Sequence, residues 1–329
     1  MNARDAAASD AIGRDAALYP FALDPARDAL MLVPMTLGDY RAASFLDERL
    51  GKRGPWTPAA DVARAMTGAR DVRPLHFIFH AGHVGSTLLS RLIDEADGVL
   101  PLREPLPLRV IAGQFSQARL ELLLRLWERG FHDTRAVVLK ATSATQRLAT
   151  TLMAMRGGAK AVMLNVSAES YLAIMLAGEN SATDLNAQGA ERFHRLSALI
   201  GEAPPRPADL GELIAMSWLA ERLTQLQAQR ALGARVLAVD FDAMLAALPE
   251  TLARVLAHLG IACAPERVAA IANGPTVTRY SKAPQNGYSP TFRAELLAES
   301  RRGYAKEIRA SLDWLERLVV SRPSLAAVL

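Results

Sequence analysis

Five short apolar runs punctuate the middle of the chain: LHFIF (75–79), GVLPL (98–102), RAVVLK (135–140), AKAVMLNV (159–166) and RVLAVDF (235–241). The stretches between them carry apolar residues at helical spacing. Short continuous runs suit strands buried on both faces, and each intervening helix must bury its own apolar stripe against the sheet they form. The pattern predicts an α/β fold, a parallel β-sheet flanked by helices.

Between the fourth and fifth runs lies a long helical region, which GEAPPRPADLGE (201–212) breaks in two. Over Gly211–Leu232 the residues Leu213, Met216, Trp218, Leu219, Leu223 and Leu226 share one face, so Trp218 reads as core. LPETLARVLAHLGI (248–261) places Leu252, Val255, Leu256 and Leu259 on one side, with Gly260 as a stop. A loop rich in Pro, Asn, Gly, Ser and Tyr follows (273–290), then a final helical region reaching about Val320. Before residue 70 the chain is Ala-rich, with helices expected at Tyr40–Leu50 and at Pro58–Met66, the latter capped by Thr57. The expected division is an N-terminal helical extension (1–70), an α/β core (71–290) and a C-terminal helical segment packed on the core (291–329).

Composition narrows the classes. A chain of 329 residues, half of them hydrophobic, can bury a full core. The net charge of +4 favours an anionic ligand locally but is too small, and too evenly spread, to argue for nucleic acid. The lone Cys263, in HLGIACAPERV, cannot form an internal disulfide and reads as core filler, which fits a reducing compartment. The N-terminus lacks an apolar signal core, and no membrane-length apolar run occurs. A cytoplasmic protein without stable membrane insertion is expected.

The chemistry concentrates after the first run, in HAGHVGST followed by LLSRLID. Gly82 and Gly85 allow a tight turn with inward-pointing amides, Ser86 and Thr87 add hydroxyls, and Leu88, Leu89 and Leu92 begin a buried helical face. A helix N-terminus at the carboxyl end of a parallel strand favours a phosphate-like group. A well-capped structural turn would use the same residues. Against the Walker A pattern, Gly-x-x-x-x-Gly-Lys-Ser/Thr, the lysine position holds Ser86 and the first glycine position His80, which weakens an ATP or GTP reading.

GHVGSTLLSRL resembles the 5′-phosphosulfate-binding loop of the sulfotransferase superfamily, whose donor is 3′-phosphoadenosine 5′-phosphosulfate (PAPS). His83, Val84, Gly85, Ser86 and Thr87 fall at the loop's basic, small, Gly and paired hydroxyl positions. LREPL resembles the motif where many members place a catalytic carboxylate, and VLKATS the strand ending in a lysine and a small hydroxyl residue. VLAVDFDAMLAALPETLARVLAHLGI resembles the late strand, acidic turn and Leu-Gly-terminated helix of bacterial members. The resemblance covers about residues 75 to 285. It implies a P-loop NTPase-like three-layer sandwich with additional N- and C-terminal helices. It also implies in-line transfer of a sulfonate from PAPS to a hydroxyl or amine, leaving 3′,5′-ADP and requiring no metal.

On that resemblance Gly82 to Thr87 hold the 5′-phosphate, His83 stabilises the departing bridging oxygen, Glu104 is the general base and Lys140 neutralises sulfonate oxygens. Each has a plainer alternative: His83 an exposed loop histidine, Glu104 an ion-pair partner of Arg103 or Arg109, Lys140 a snorkelling strand end. At the 3′-phosphate site, members often have an arginine ending the fourth strand and a serine eight residues on. Here those positions are Asn165 and Ala173, leaving Ser167, Ser170, Arg279 and Lys282 as substitutes. Expected partners are a small-molecule or biopolymer acceptor; a homodimer is allowed, and nucleic acid is not expected. The rivals are a P-loop nucleotide kinase or NTPase, with Asp240 ending a Walker B-like strand, and a non-catalytic nucleotide-binding member of the fold.

Overall fold

A computed structural model describes residues 11–68, 72–178, 181–279 and 290–322, with Leu325 and Val328. Among them, β1 (Leu18–Asp24), β2 (Ala29–Pro34) and β3 (Trp56–Pro58) form an antiparallel sheet in the order β1-β2-β3. The five apolar runs become β4 (Leu75–His80), β5 (Val99–Arg103), β6 (Ala136–Lys140), β7 (Ala161–Asn165) and β8 (Val236–Asp240). They pair in parallel throughout, in the order β5-β6-β4-β7-β8. The fold is therefore α/β, as the pattern predicts.

Alternate residues of the central strands feed two cores. Phe77 and Phe79 stack with centroids 5.6 Å apart and face Tyr19, Phe21 and Leu30 of the antiparallel sheet. Ile78, Val162 and Leu164 face the opposite way, against Leu88 and Leu92 of the loop helix (Ser86–Asp94) and Ile214 and Trp218 of the long helix (Leu210–Leu232). Trp218 is core, as expected, with its indole N–H donating to the Val166 carbonyl at 2.9 Å. Gly260 ends the helix Leu248–Leu259 in the left-handed conformation.

The first seventy residues depart from expectation: the segment expected to be helical contributes the three-stranded sheet. Tyr19, Phe21 and Leu23 do point inward, but a register shift between Pro20 and Ala22 interrupts a strict alternation. Thr57 lies in β3 and is not a helix cap; Pro58 precedes the helix Ala59–Ala65, which has no side-chain cap. The helix expected over Tyr40–Leu50 splits into Leu37–Ala42, closed by a Thr36/Asp39 capping box, and a short 3-10 turn, Glu48–Leu50. Arg103, at the end of β5 and fully buried, accounts for the split. Its guanidinium donates to the carbonyls of Tyr40, Arg41 and Ala43, which would otherwise bond onward within a longer helix.

The central strand β4 has β5 and β6 to one side and β7 and β8 to the other. The chain crosses from β6 over to β7, so the carboxyl end of β4 lies beside the crevice where ligands sit on open α/β sheets. Among the described residues no helix is long and apolar enough to cross a membrane.

Candidate active site

The loop between β4 and its helix takes positive φ at Gly82 (91°), His83 (54°) and Gly85 (72°). Left-handed residues in such close succession turn main-chain N–H groups toward a common concavity. Positive φ favours glycine at both positions, and at Gly85 space demands it as well: a Cβ there would fall 2.0 Å from Cε2 of Phe241, whose buried ring abuts the loop, whereas at Gly82 it would meet Ser143 at an ordinary 3.5 Å and the Tyr171 hydroxyl at 3.9 Å. That hydroxyl donates to the Ala81 carbonyl at 3.2 Å, and burial raises its pKa. The Gly82 N–H is already engaged, donating to Nδ1 of His80 at 3.1 Å. Val84 is fully buried, so only its backbone can serve a ligand. Ser86 and Thr87 open the loop helix; the Thr87 Oγ1 is buried without a hydrogen-bond partner, a hydroxyl ready for an acceptor.

Three adjacent strand ends bring charge to this loop. Lys140, closing β6, pairs with Glu104, just past β5, with side-chain exposures of 1 % and 13 %. Lys140 therefore does not snorkel to water. Glu104 is held by its own N–H, which donates to the Lys140 carbonyl at 2.7 Å, and takes φ of 56°. A carboxylate-bearing residue in the left-handed region stores about 1–3 kcal/mol, the kind of strain that concentrates at functional sites. Nε2 of His80 lies 3.9 Å from Glu104 Oε1. Since Nδ1 accepts from Gly82, the neutral imidazole carries its proton on Nε2, facing that carboxylate.

Neither arginine expected beside Glu104 pairs with it. Arg103 pairs with Asp94 at 3.0 Å and donates to Ser90 at 3.1 Å; Arg109 pairs with Asp47 at 2.7 Å. The β5 end is pinned through Arg103, and Glu104 pairs with Lys140 instead. Phe45 and Arg49, from the N-terminal layer, line the same place: the Lys140 Nζ is 5.6 Å from the Phe45 ring centroid and the Arg49 guanidinium 3.5 Å.

Sequence reasoning missed His80, Phe45 and Arg49. His80 was visible only as a broken Walker position, while Phe45 and Arg49 lie in a segment that no motif marks. His83 is half-buried in the loop.

On the β7 side, Asn165 is buried and its Oδ1 accepts from the Val166 N–H at 2.9 Å. Ser167 caps the helix Ala168–Ala177, accepting from the Ser170 N–H at 3.2 Å. Arg279 is exposed, and Lys282 lies outside the described residues. Asp240 ends the edge strand β8, two places from β4, and caps the following helix by accepting from the Ala243 N–H at 2.9 Å. Its carboxylate serves the backbone there, away from the Walker B role.

No protein-family model matches this chain, and no curated protein does. It is similar in structure to the mouse sulfotransferase SULT7A1 complexed with PAP, at 12 % identity and TM-score 0.39, over 71 % of this chain and 82 % of that one. The sulfotransferase domain from the curacin biosynthetic pathway gives 13 % identity and TM-score 0.35, over 75 % and 99 %. Retinol dehydratase in complex with androsterone and PAP gives 15 % identity and TM-score 0.36, over 95 % and 94 %. The superpositions are loose, so the chemistry must be read from the side chains.

Proposed function

We propose that this protein is a sulfotransferase that uses PAPS and acts on a hydroxyl or amine acceptor. The observation that carries the reading is the meeting of the Lys140–Glu104 pair with a glycine loop that offers a buried, unpartnered Thr87 hydroxyl. The residues fit the donor: Gly85, Ser86 and Thr87 at a helix N-terminus hold its 5′-phosphate through main-chain and hydroxyl donors. PAPS, when bound, supplies an activated sulfonate.

Glu104 accepts the proton of the attacking hydroxyl, a role open to a carboxylate just past a strand end beside the loop. Lys140 places an ammonium where negative charge develops on sulfonate oxygens, and His83 offers a donor from within the loop. His80 accepts from the Gly82 amide and turns its other ring nitrogen toward Glu104, 3.9 Å away. Phe45 and Arg49 form part of the acceptor's wall.

The test is a thermal-shift measurement with 3′,5′-ADP, followed by incubation with labelled PAPS and a panel of hydroxyl and amine acceptors. Stabilisation by 3′,5′-ADP together with label transfer is expected. Indifference to 3′,5′-ADP combined with stabilisation by ATP and magnesium would overturn the reading. Stabilisation without transfer to any acceptor would point to a non-catalytic binder. Glu104→Gln is expected to lower transfer at least about 100-fold while leaving 3′,5′-ADP binding in place; unchanged turnover removes Glu104 from the mechanism.

A further inference from the structure

One segment of the N-terminal layer is fastened to the chain at Glu104 itself. The Leu46 N–H donates to the Arg103 carbonyl at 2.6 Å, and the Leu46 carbonyl accepts from the Leu106 N–H at 3.1 Å, so residue 46 holds the main chain on both sides of Glu104. Its sequence neighbours are thereby fixed beside the crevice. Before it, Phe45 carries the Arg49 guanidinium on its ring and lies near the Lys140 Nζ. After it, Asp47, with a side chain only 2 % exposed, gathers two arginines from different elements.

Arg49 donates to Asp47 through Nε at 2.8 Å, through Nη2 and through its backbone N–H at 3.1 Å. Arg109, on the helix Leu106–Gly113, donates Nη2 to the same carboxylate at 2.7 Å. Burial alone would raise the Asp47 pKa, but the bonds from Arg49 and the charges of Arg49 and Arg109 hold it below its ordinary value. One ionised carboxylate therefore faces two guanidinium groups. Glu48 also faces Arg109, but at 3.9 Å and 66 % exposed it is too distant and too open to water to neutralise the second charge. Glu104 is committed to Lys140. A single arginine would satisfy Asp47, and the side chains of Arg49 and Arg109 remain 57 % and 36 % exposed, so the second pairing adds little stability.

We propose that Arg49 and Arg109 bind an oxyanion carried by the acceptor, so that this protein favours hydroxyl or amine acceptors bearing a carboxylate or similar group over neutral ones. The inference rests on the sulfotransferase reading above and adds the class of acceptor. The bonds to Asp47 occupy Nε and Nη2 of Arg49, which leaves its Nη1 for a ligand. Guanidinium groups already fixed by a buried carboxylate lose little freedom on binding and present planar donors suited to a carboxylate. Phe45 offers apolar surface to the acceptor's carbon frame, and anchoring the charged end on the arginines leaves the reacting hydroxyl for Glu104.

The experiment measures transfer from labelled PAPS to para-hydroxyphenylacetate and ω-hydroxyhexanoate, each against its own primary amide. Saturation-transfer NMR of the same four compounds on the 3′,5′-ADP complex gives a readout that needs no turnover. The acids are expected to exceed their amides at least about tenfold in kcat/KM and in affinity. Arg49→Gln should bring that ratio close to one and Arg109→Gln should lower it about threefold, the loss falling on KM, while Arg49→Lys retains part of it. Each of these variants leaves Asp47 one arginine or its charge. In the wild type the preference should also shrink as salt rises from about 0.05 to about 0.5 M, a result that decides the matter even if a glutamine variant folds poorly by circular dichroism. Amides that equal their acids, binding of none of the four by a chain that binds 3′,5′-ADP, or a preference untouched by the variants and by salt overturns the arginine assignment and leaves the functional reading standing. A wild type that does not bind 3′,5′-ADP sinks the functional reading, and this inference with it.

Discussion

Gly85→Ala puts the contact between loop and Phe241 to a quantitative test. The added Cβ would sit 2.0, 2.1 and 2.5 Å from three carbons of the ring. Unstrained carbon contacts lie at about 3.5–4.0 Å, so the ring must retreat by roughly 1.5 Å. Phe241 is buried and carries Arg293 on it, so overpacking of this kind should cost about 1–3 kcal/mol. Alanine must also hold φ near 72°, which adds about 1–2 kcal/mol. Together the loss is roughly 2–5 kcal/mol, read as a lower midpoint in urea at unchanged slope. Phe241→Leu frees room at the ring without relieving the dihedral strain. In the double variant the overpacking part should therefore disappear, giving a coupling energy of about 1–3 kcal/mol in a double-mutant cycle. A Gly85→Ala loss below about 1 kcal/mol, or additivity with Phe241→Leu, would refute the packed arrangement of loop and ring.

Two further expectations concern the scaffold. Arg103→Met removes donors to three carbonyls and Ser90 and takes from Asp94 its buried ion-pair partner, leaving it the half-exposed Arg41 and the charge of Arg91; stability should fall by about 3 kcal/mol, and a loss under about 1 would contradict the pinning role. Burial, with smaller contributions from Lys160 and His258, pushes the pKa of His76 down from 6.5 to about 4. The folded state thus refuses a proton that the unfolded chain accepts, so His76's share of stability is complete above about pH 6.5 and drains away as the pH falls toward 4. His76→Asn keeps an acceptor for the Lys160 N–H but cannot titrate; between pH 7 and 5 it should lose up to about 2 kcal/mol less than the wild type, and parallel profiles would exclude His76 as the cause.

Much of this protein is written locally. The five strands could be read because each is a short apolar run, and in β4 to β7 burial on both faces erases polar alternation in the sequence itself. The loop was legible for a related reason: positive φ at residues 82 and 85 calls for glycine, and a helix beginning at Ser86 needs its leucine face. Glu104 and Lys140 could be placed at strand ends by counting, but their pairing could not, since β5 and β6 become neighbours only in the sheet. The antiparallel sheet of the first seventy residues escaped detection because the register shift beside Pro20 breaks the period of two in β1 and β3 is only three residues long.

Tertiary structure alone decided the partners. Arg103 adjoins Glu104 in sequence yet serves Asp94 and a helix end, while His80, a misfit in the loop motif, faces the carboxylate. Arg293 and Arg301 reach Asp242 and Ser170 across 51 and 131 positions. Periodicity and turn chemistry are local constraints that a chain must obey wherever it folds. Which charge meets which is settled only when strands order and helices dock, because burial selects the partner that can satisfy each buried ion.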